Sequence, residues 1–147
     1  MALIRAALTK VLPDEDLVLS LDVDTIIDKN IDDLWDYDMS NYYIAGVVEP
    51  HRSLSAYKYF NFGVCLLNLK LLRETKFDDK IIWDLNNNYY RNDVQDCFSR
   101  KTPEDYKLKL PSDYNAGHRF CLATNNKKII HYAGNKNWFN EPEVLKY

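Results

Sequence analysis

The apolar run Leu17-Val18-Leu19-Ser20-Leu21 ends directly on Asp22-Val23-Asp24, and this step from oil to acid narrows what the chain can fold into. A run this short suits a strand buried on both faces, of the kind found in parallel sheets covered by helices. In extended backbone, residues i and i+2 point to one side, so both carboxylates can face a single cation. Carboxylate oxygens are hard ligands suited to Mg or Mn, and such ions commonly hold substrate phosphates. The carboxyl end of a parallel strand is also where open α/β sheets bind ligands. Asp14/Asp16 and Asp36/Asp38 repeat the spacing without a buried strand before them. Spacing alone therefore carries little weight, and a solvated acidic turn is the alternative reading.

Other segments extend the pattern. Leu3, Ile4, Ala7, Leu8 and Val11 form one helical stripe that Pro13 ends, with Arg5 on its flank. Tyr43 to Val48, Phe62 to Leu67, Leu108 to Leu110 and Lys128 to His131 read as strands. Helices are expected around Ile31 to Trp35, from Asn68 as a cap, over Phe77 to Leu85 and over Val94 to Phe98. Strands alternating with helices predict an α/β sandwich with a mixed, largely parallel sheet. A chain of 147 residues, 46% hydrophobic and 28% charged, supports one globular domain.

Composition excludes several classes. A net charge of −3 and a pI near 5.6 argue against nucleic acid as a partner. Gly46, Gly63, Gly117 and Gly134 are scattered, so neither a dinucleotide fingerprint nor a P-loop can be written. Cys65, Cys97 and Cys121 are odd in number and lack C-x-x-C spacing, which disfavours a disulfide scaffold or structural zinc. No apolar run approaches a membrane span, and a reduced, cytoplasmic setting is expected.

Six ordered segments together resemble glycosyltransferase family 8, the retaining, nucleotide-sugar-dependent enzymes with a GT-A fold. Val18 to Ile27 is similar to that family's strand and metal-binding Asp-x-Asp, and Trp35 to the residue after its next turn. Tyr59-Phe60-Asn61-Phe62-Gly63-Val64 resembles its Tyr-Phe-Asn-small-Gly-Val strand, and Gln95-Asp96 the end of its Asp-Gln-Asp motif. Leu110-Pro111-Ser112-Asp113-Tyr114-Asn115 and Ile129-Ile130-His131-Tyr132-Ala133-Gly134-Asn135-Lys136-Asn137-Trp138 resemble its last two signatures. A rival, the haloacid dehalogenase-type phosphatases, needs Asp-x-Asp-x-Thr; here Thr25 comes one residue early and Ile26 fills the required position.

The resemblance implies roles by position. Asp22, Asp24 and His131 would hold Mn(II), with Mg possible. Arg5, Val23, Asn61, Phe62, Gly134 and Lys136 would bind a UDP-hexose donor, glucose or galactose, and Gln95 and Asp96 would lie at the anomeric carbon. The acceptor would be a glycan, a lipid-linked glycan or a protein. Each residue also has a plainer reading: His131 as a hydrogen-bonded core residue, Lys136 as a loop charge, Asn61 as a turn residue, Cys65 as a small buried hydrophobe. Two departures stand out. Val94 occupies the place of the first Asp in Asp-Gln-Asp, and Phe62 that of a small residue, narrowing the sugar pocket unless its ring turns into the core. The resemblance further implies that residues 1–147 are the later part of a catalytic domain lacking its first βαβ region. The edge of Leu17 to Leu21 would then be covered by a second copy of the chain or by Met1 to Leu12. A non-catalytic binding or assembly module is the remaining alternative.

Overall fold

The computed structural model describes residues 2–50, 58–117, 124–135, 137–142 and 144–146. The strands are β1 (Leu17–Leu21), β2 (Thr25–Ile27), β3 (Ile44–Val48), β4 (Phe60–Asn68), β5 (Lys107–Lys109) and β6 (Ile129–His131). The helices are α1 (Leu8–Val11), α2 (Leu69–Glu74), α3 (Phe77–Asn87) and α4 (Asp93–Lys101), and short 3-10 turns lie elsewhere along the chain. Four strands form one sheet in the order β1-β4-β3-β5, and β2 pairs with β6 in a separate ribbon.

The central strand is β4, buried along its length up to Asn68. It needs apolar residues at consecutive positions because it is covered on both sides. On one side lie Leu72, Phe77, Ile81, Val94, Cys97 and Phe98 of the helices. On the other, Leu34, Met39, Leu110 and Tyr114 close over Ala45, Val47 and Leu66. The α/β sandwich with a mixed sheet is as the sequence predicts. Its balance is not: β1 and β3 both run antiparallel to β4, and β5 alone joins in parallel, beside β3. An apolar run reports burial on two faces, not strand direction. β1 itself is only half-buried, and among the described residues it forms a ladder on one edge alone.

The helix expected at the start is a 3-10 turn over Ala2–Ala7 continued by α1. Only part of its stripe reaches the core: Leu8 packs there, while Leu3, Ile4 and Val11 are exposed. The buried positions are Ala6 and Thr9, with Thr9 donating to Asp78 at 2.6 Å. Later elements follow expectation closely. Asn68 caps α2 by accepting from the Leu71 amide at 2.9 Å. Burial pushes the Cys65 thiol up to about 12, in keeping with an unreactive residue inside β4. Among the described residues no helix is long and apolar enough to cross a membrane.

Candidate active site

Backbone bonds hold the turn after β1 from three sides. The Asp22 amide donates to the Gly63 carbonyl at 2.8 Å, the Thr25 hydroxyl to the Asp22 carbonyl at 2.7 Å, and the Tyr132 amide to the Asp24 carbonyl at 2.9 Å. The ladder of β2 with β6 sets Thr25 opposite His131. That register is what carries the imidazole to Asp24 and Asp22, 107 and 109 positions earlier in the chain.

Nε2 of His131 stands 3.3 Å from Asp24 Oδ1 and 3.7 Å from Asp22 Oδ2. One donor atom from each of the three residues lies within 4.8 Å of the other two. Donors bound about 2.0–2.2 Å from one ion subtend separations of this order, and two hard oxygens with one imidazole suit a divalent cation. Burial lowers the pKa of His131 below its ordinary 6.5, against the upward pull of Asp24 and Asp22. The neutral imidazole, the form that ligates, is thereby favoured.

Glycine makes the approach possible. A Cβ on Gly63 would fall 1.9 Å from His131 Cε1, and one on Gly117 would fall 2.5 Å from the His131 carbonyl oxygen. Arg5 reaches in from the N-terminal turn, donating to Ser20 Oγ at 2.7 Å and pairing with Asp22 Oδ1 at 2.6 Å. Asn115 Oδ1 stands 3.0 Å from His131 Nδ1.

A cavity of about 510 Å³ opens over this cluster. Asp22, Asp24, His131 and Arg5 line it, together with Asn61, Phe62, Gln95 and Gly134. Eight of the residues singled out from the sequence thus meet in one place. Val23 lines a smaller neighbouring cavity with Ile4, Arg5 and Leu8, and its side chain is exposed. Phe62 reaches the cavity from the core side: its ring packs against Phe98 with centroids 5.5 Å apart, and it is 3% exposed. Lys136 lies outside the described residues.

Asp96 is the exception. The next residue on a helix points about 100° away, so while Gln95 faces the cavity, Asp96 is turned inward. It accepts from the Tyr59 hydroxyl and, at 3.2 Å, from the Asn92 amide. Burial raises its pKa, but the bonds from Tyr59 and Asn92 prevail and lower it below 3.8. Sequence reasoning passed over Glu49, Arg91, Asn92 and Ala133, which also line the cavity. Glu49 is buried and accepts from Asn61 Nδ2 at 2.9 Å and Gln95 Nε2 at 3.2 Å.

Comparison with known proteins decides the lineage. The family model described as glycosyl transferase family 8 matches residues 1–141. The chain belongs to glycosyltransferase family 8. The haloacid dehalogenase-type alternative falls with that match. This family 8 chain is 29% identical over 133 residues to glycosyltransferase GlyA of Streptococcus pneumoniae, covering 83% of the chain and 19% of the relative. It is 23% identical over 165 aligned positions to general stress protein A of Bacillus subtilis, covering 92% of the chain and 58% of the relative. The chain therefore spans less than two thirds of these curated relatives. Among solved structures, the bifunctional glycosyltransferase WbbM matches 99% of the family 8 chain and 36% of its own, with a TM-score of 0.78 at 19% identity. GlyE of Streptococcus pneumoniae matches 96% and 39%, with a TM-score of 0.71 at 24% identity. Both show the GT-A fold.

Proposed function

We propose that the chain transfers a hexose, glucose or galactose, from a UDP-sugar to a glycan, lipid-linked or protein acceptor, with retention and dependence on Mn(II). The observation that carries this reading is the meeting of Asp22, Asp24 and His131 at the mouth of one cavity with Arg5 beside them. The galactosyltransferase LgtC, known in complex with donor and acceptor sugar analogs, resembles the chain with a TM-score of 0.66 at 20% identity. Its fold supports the same class of substrates here.

When bound, the cation would neutralise charge developing on the departing diphosphate. The protein's own residues supply the rest. Asp22 and Asp24 would hold the ion, and His131 would complete its protein ligands. Arg5 fixes the Asp22 carboxylate through its 2.6 Å pair. Gly134, with φ of 74°, adopts backbone that side chains disfavour and would let the chain approach the phosphates. Lys136 would add positive charge there, and Val23 would lie against the nucleoside. Asn61 and Phe62 would line the hexose. Gln95 would stand near the anomeric carbon, its carbonyl already accepting from the Phe62 amide at 2.9 Å. An amide is a poor nucleophile and Asp96 is turned away, so the reading takes front-face attack, with Gln95 positioning the sugar.

The same reading takes residues 1–147 as the C-terminal part of a catalytic domain and as a cytoplasmic protein. The experiment is proton NMR of UDP-glucose or UDP-galactose incubated with the protein, Mn(II) and an oligosaccharide acceptor. Mn-dependent appearance of a product with the donor's anomeric configuration is expected. A folded protein that binds neither Mn(II) nor UDP would instead be the non-catalytic module.

A further inference from the structure

The hydrogen bonds around His131 run in one direction, and that direction is fixed at its far end by the backbone. The Gly63 amide can only donate, and it donates to Asn61 Oδ1 at 2.9 Å. The Asn61 nitrogen must therefore point the other way, and it does, toward Glu49 Oε1 at 2.9 Å. Asn115 Nδ2 then stands 3.0 Å from Asn61 Oδ1 and 3.5 Å from the Asn61 carbonyl oxygen. Two acceptors on that side compel Asn115 to present its nitrogen there and its oxygen to His131. The partner of that oxygen is His131 Nδ1 at 3.0 Å, which must carry a proton to donate. All four side chains are buried, and hydrogen bonds are stronger in such a setting than in open water.

We propose that Asn61 and Asn115 form a two-amide relay, anchored by the Gly63 amide and Glu49, that keeps the proton of His131 on Nδ1. Asn115 is then a positioning residue for the metal site. The consequence falls on Nε2, which is left with its lone pair directed at Asp22 and Asp24. Without the relay the reverse tautomer is favoured, because Asp24 Oδ1 lies 3.3 Å from Nε2 and would accept a proton there. The relay opposes that bond and holds the imidazole ready to ligate. Such outer partners fix both the tautomer and the ring orientation of metal-binding histidines. The same network ties the metal end of the cavity to its sugar end, because Gln95 donates to the same Glu49 oxygen at 3.2 Å. The inference rests on the reading that Asp22, Asp24 and His131 hold a cation.

The test is nitrogen-15 NMR of histidine-labelled, metal-free protein at pH 8, with His131 assigned from His51→Gln and His118→Gln variants. The wild type is expected to show a protonated Nδ1 and an unprotonated Nε2. A protonated Nε2 would overturn the proposal without recourse to any variant. Asn115→Leu keeps the shape and removes the acceptor, and is expected to move the proton to Nε2. Asn115→Asp keeps an acceptor for Nδ1, and is expected to retain the wild-type tautomer. Identical spectra for the two variants would reduce Asn115 to packing. Mn(II) affinity, read by electron paramagnetic resonance, is expected to fall about 10- to 100-fold in Asn115→Leu. If the wild type binds no Mn(II), the metal reading fails, and the tautomer spectrum still judges the relay by itself.

Discussion

Gly63 lacks a side chain because the ring of His131 fills the space one would take. Gly63→Ala forces a choice between moving the imidazole and moving β4. Overpacking of this kind costs about 1–3 kcal/mol, measurable by urea unfolding. A larger effect is expected on the cation, with Mn(II) affinity falling at least about 10-fold as the ring leaves the acids. An alanine variant that binds Mn(II) as the wild type does would separate His131 from the site. Arg5→Ala frees Asp22 from its pair and is expected to weaken UDP binding in the presence of Mn(II), read by calorimetry. At this scale the sequence was partly legible. Asp22, Asp24 and His131 could be named because acids at a strand end and a histidine in a matching signature are conspicuous. Glu49 and Asn115 could not be assigned roles, because their work is done through bonds to Asn61 and His131 that only the folded chain creates.

Between residues and fold, the helices are fastened by polar groups as well as by their apolar faces. Asn68 ends β4 and begins α2, accepting from Leu71 and donating to the Met39 carbonyl at 2.8 Å. Asn68→Ala should destabilise the protein by about 1 kcal/mol, the usual worth of such a cap. Asp84 joins α3 to α4, accepting from Tyr90 and Asn88 and pairing with Lys101 at 3.0 Å. Burial raises its pKa, yet the bonds from Tyr90 and Lys101 prevail and hold it below 3.8. A carboxyl depressed on folding adds stability above its unfolded pKa and loses it as pH falls through the folded value. The stability gap between wild type and Asp84→Asn is therefore expected to be full at pH 7 and to shrink below about pH 4, which urea titrations at the two pH values would read. A gap unchanged by acid would show that the carboxylate is not ionised in the folded protein. Strands β3 and β4 and helices α2 to α4 were legible because each is an apolar run or stripe, and Asn68 marks the start of α2. The opening segment was not, because Thr9 is buried through a bond to Asp78, 69 positions away, and periodicity counts a threonine as surface.

Across the molecule, the sheet carrying β1 and β4 and the separate ribbon of β2 and β6 bring the ends of β1, β4 and β6 to a single cavity. The direction of those strands was invisible in the sequence, since burial and not polarity of the chain sets an apolar run. The far edge of β1 carries no ladder among the described residues, and exposed strand edges invite pairing. We propose that a second copy of the chain or the segment Met1 to Leu12 covers this edge; sedimentation would read a dimer in the first case, and a monomer at high concentration would contradict it. The central claim concerns the cation. Crystals soaked with Mn(II) and UDP, with diffraction recorded at the manganese absorption edge, test it most directly. The account predicts one anomalous peak about 2.0–2.6 Å from a carboxylate oxygen of Asp22, one of Asp24 and Nε2 of His131. A peak held elsewhere, or none at these three residues while UDP is bound, would contradict it.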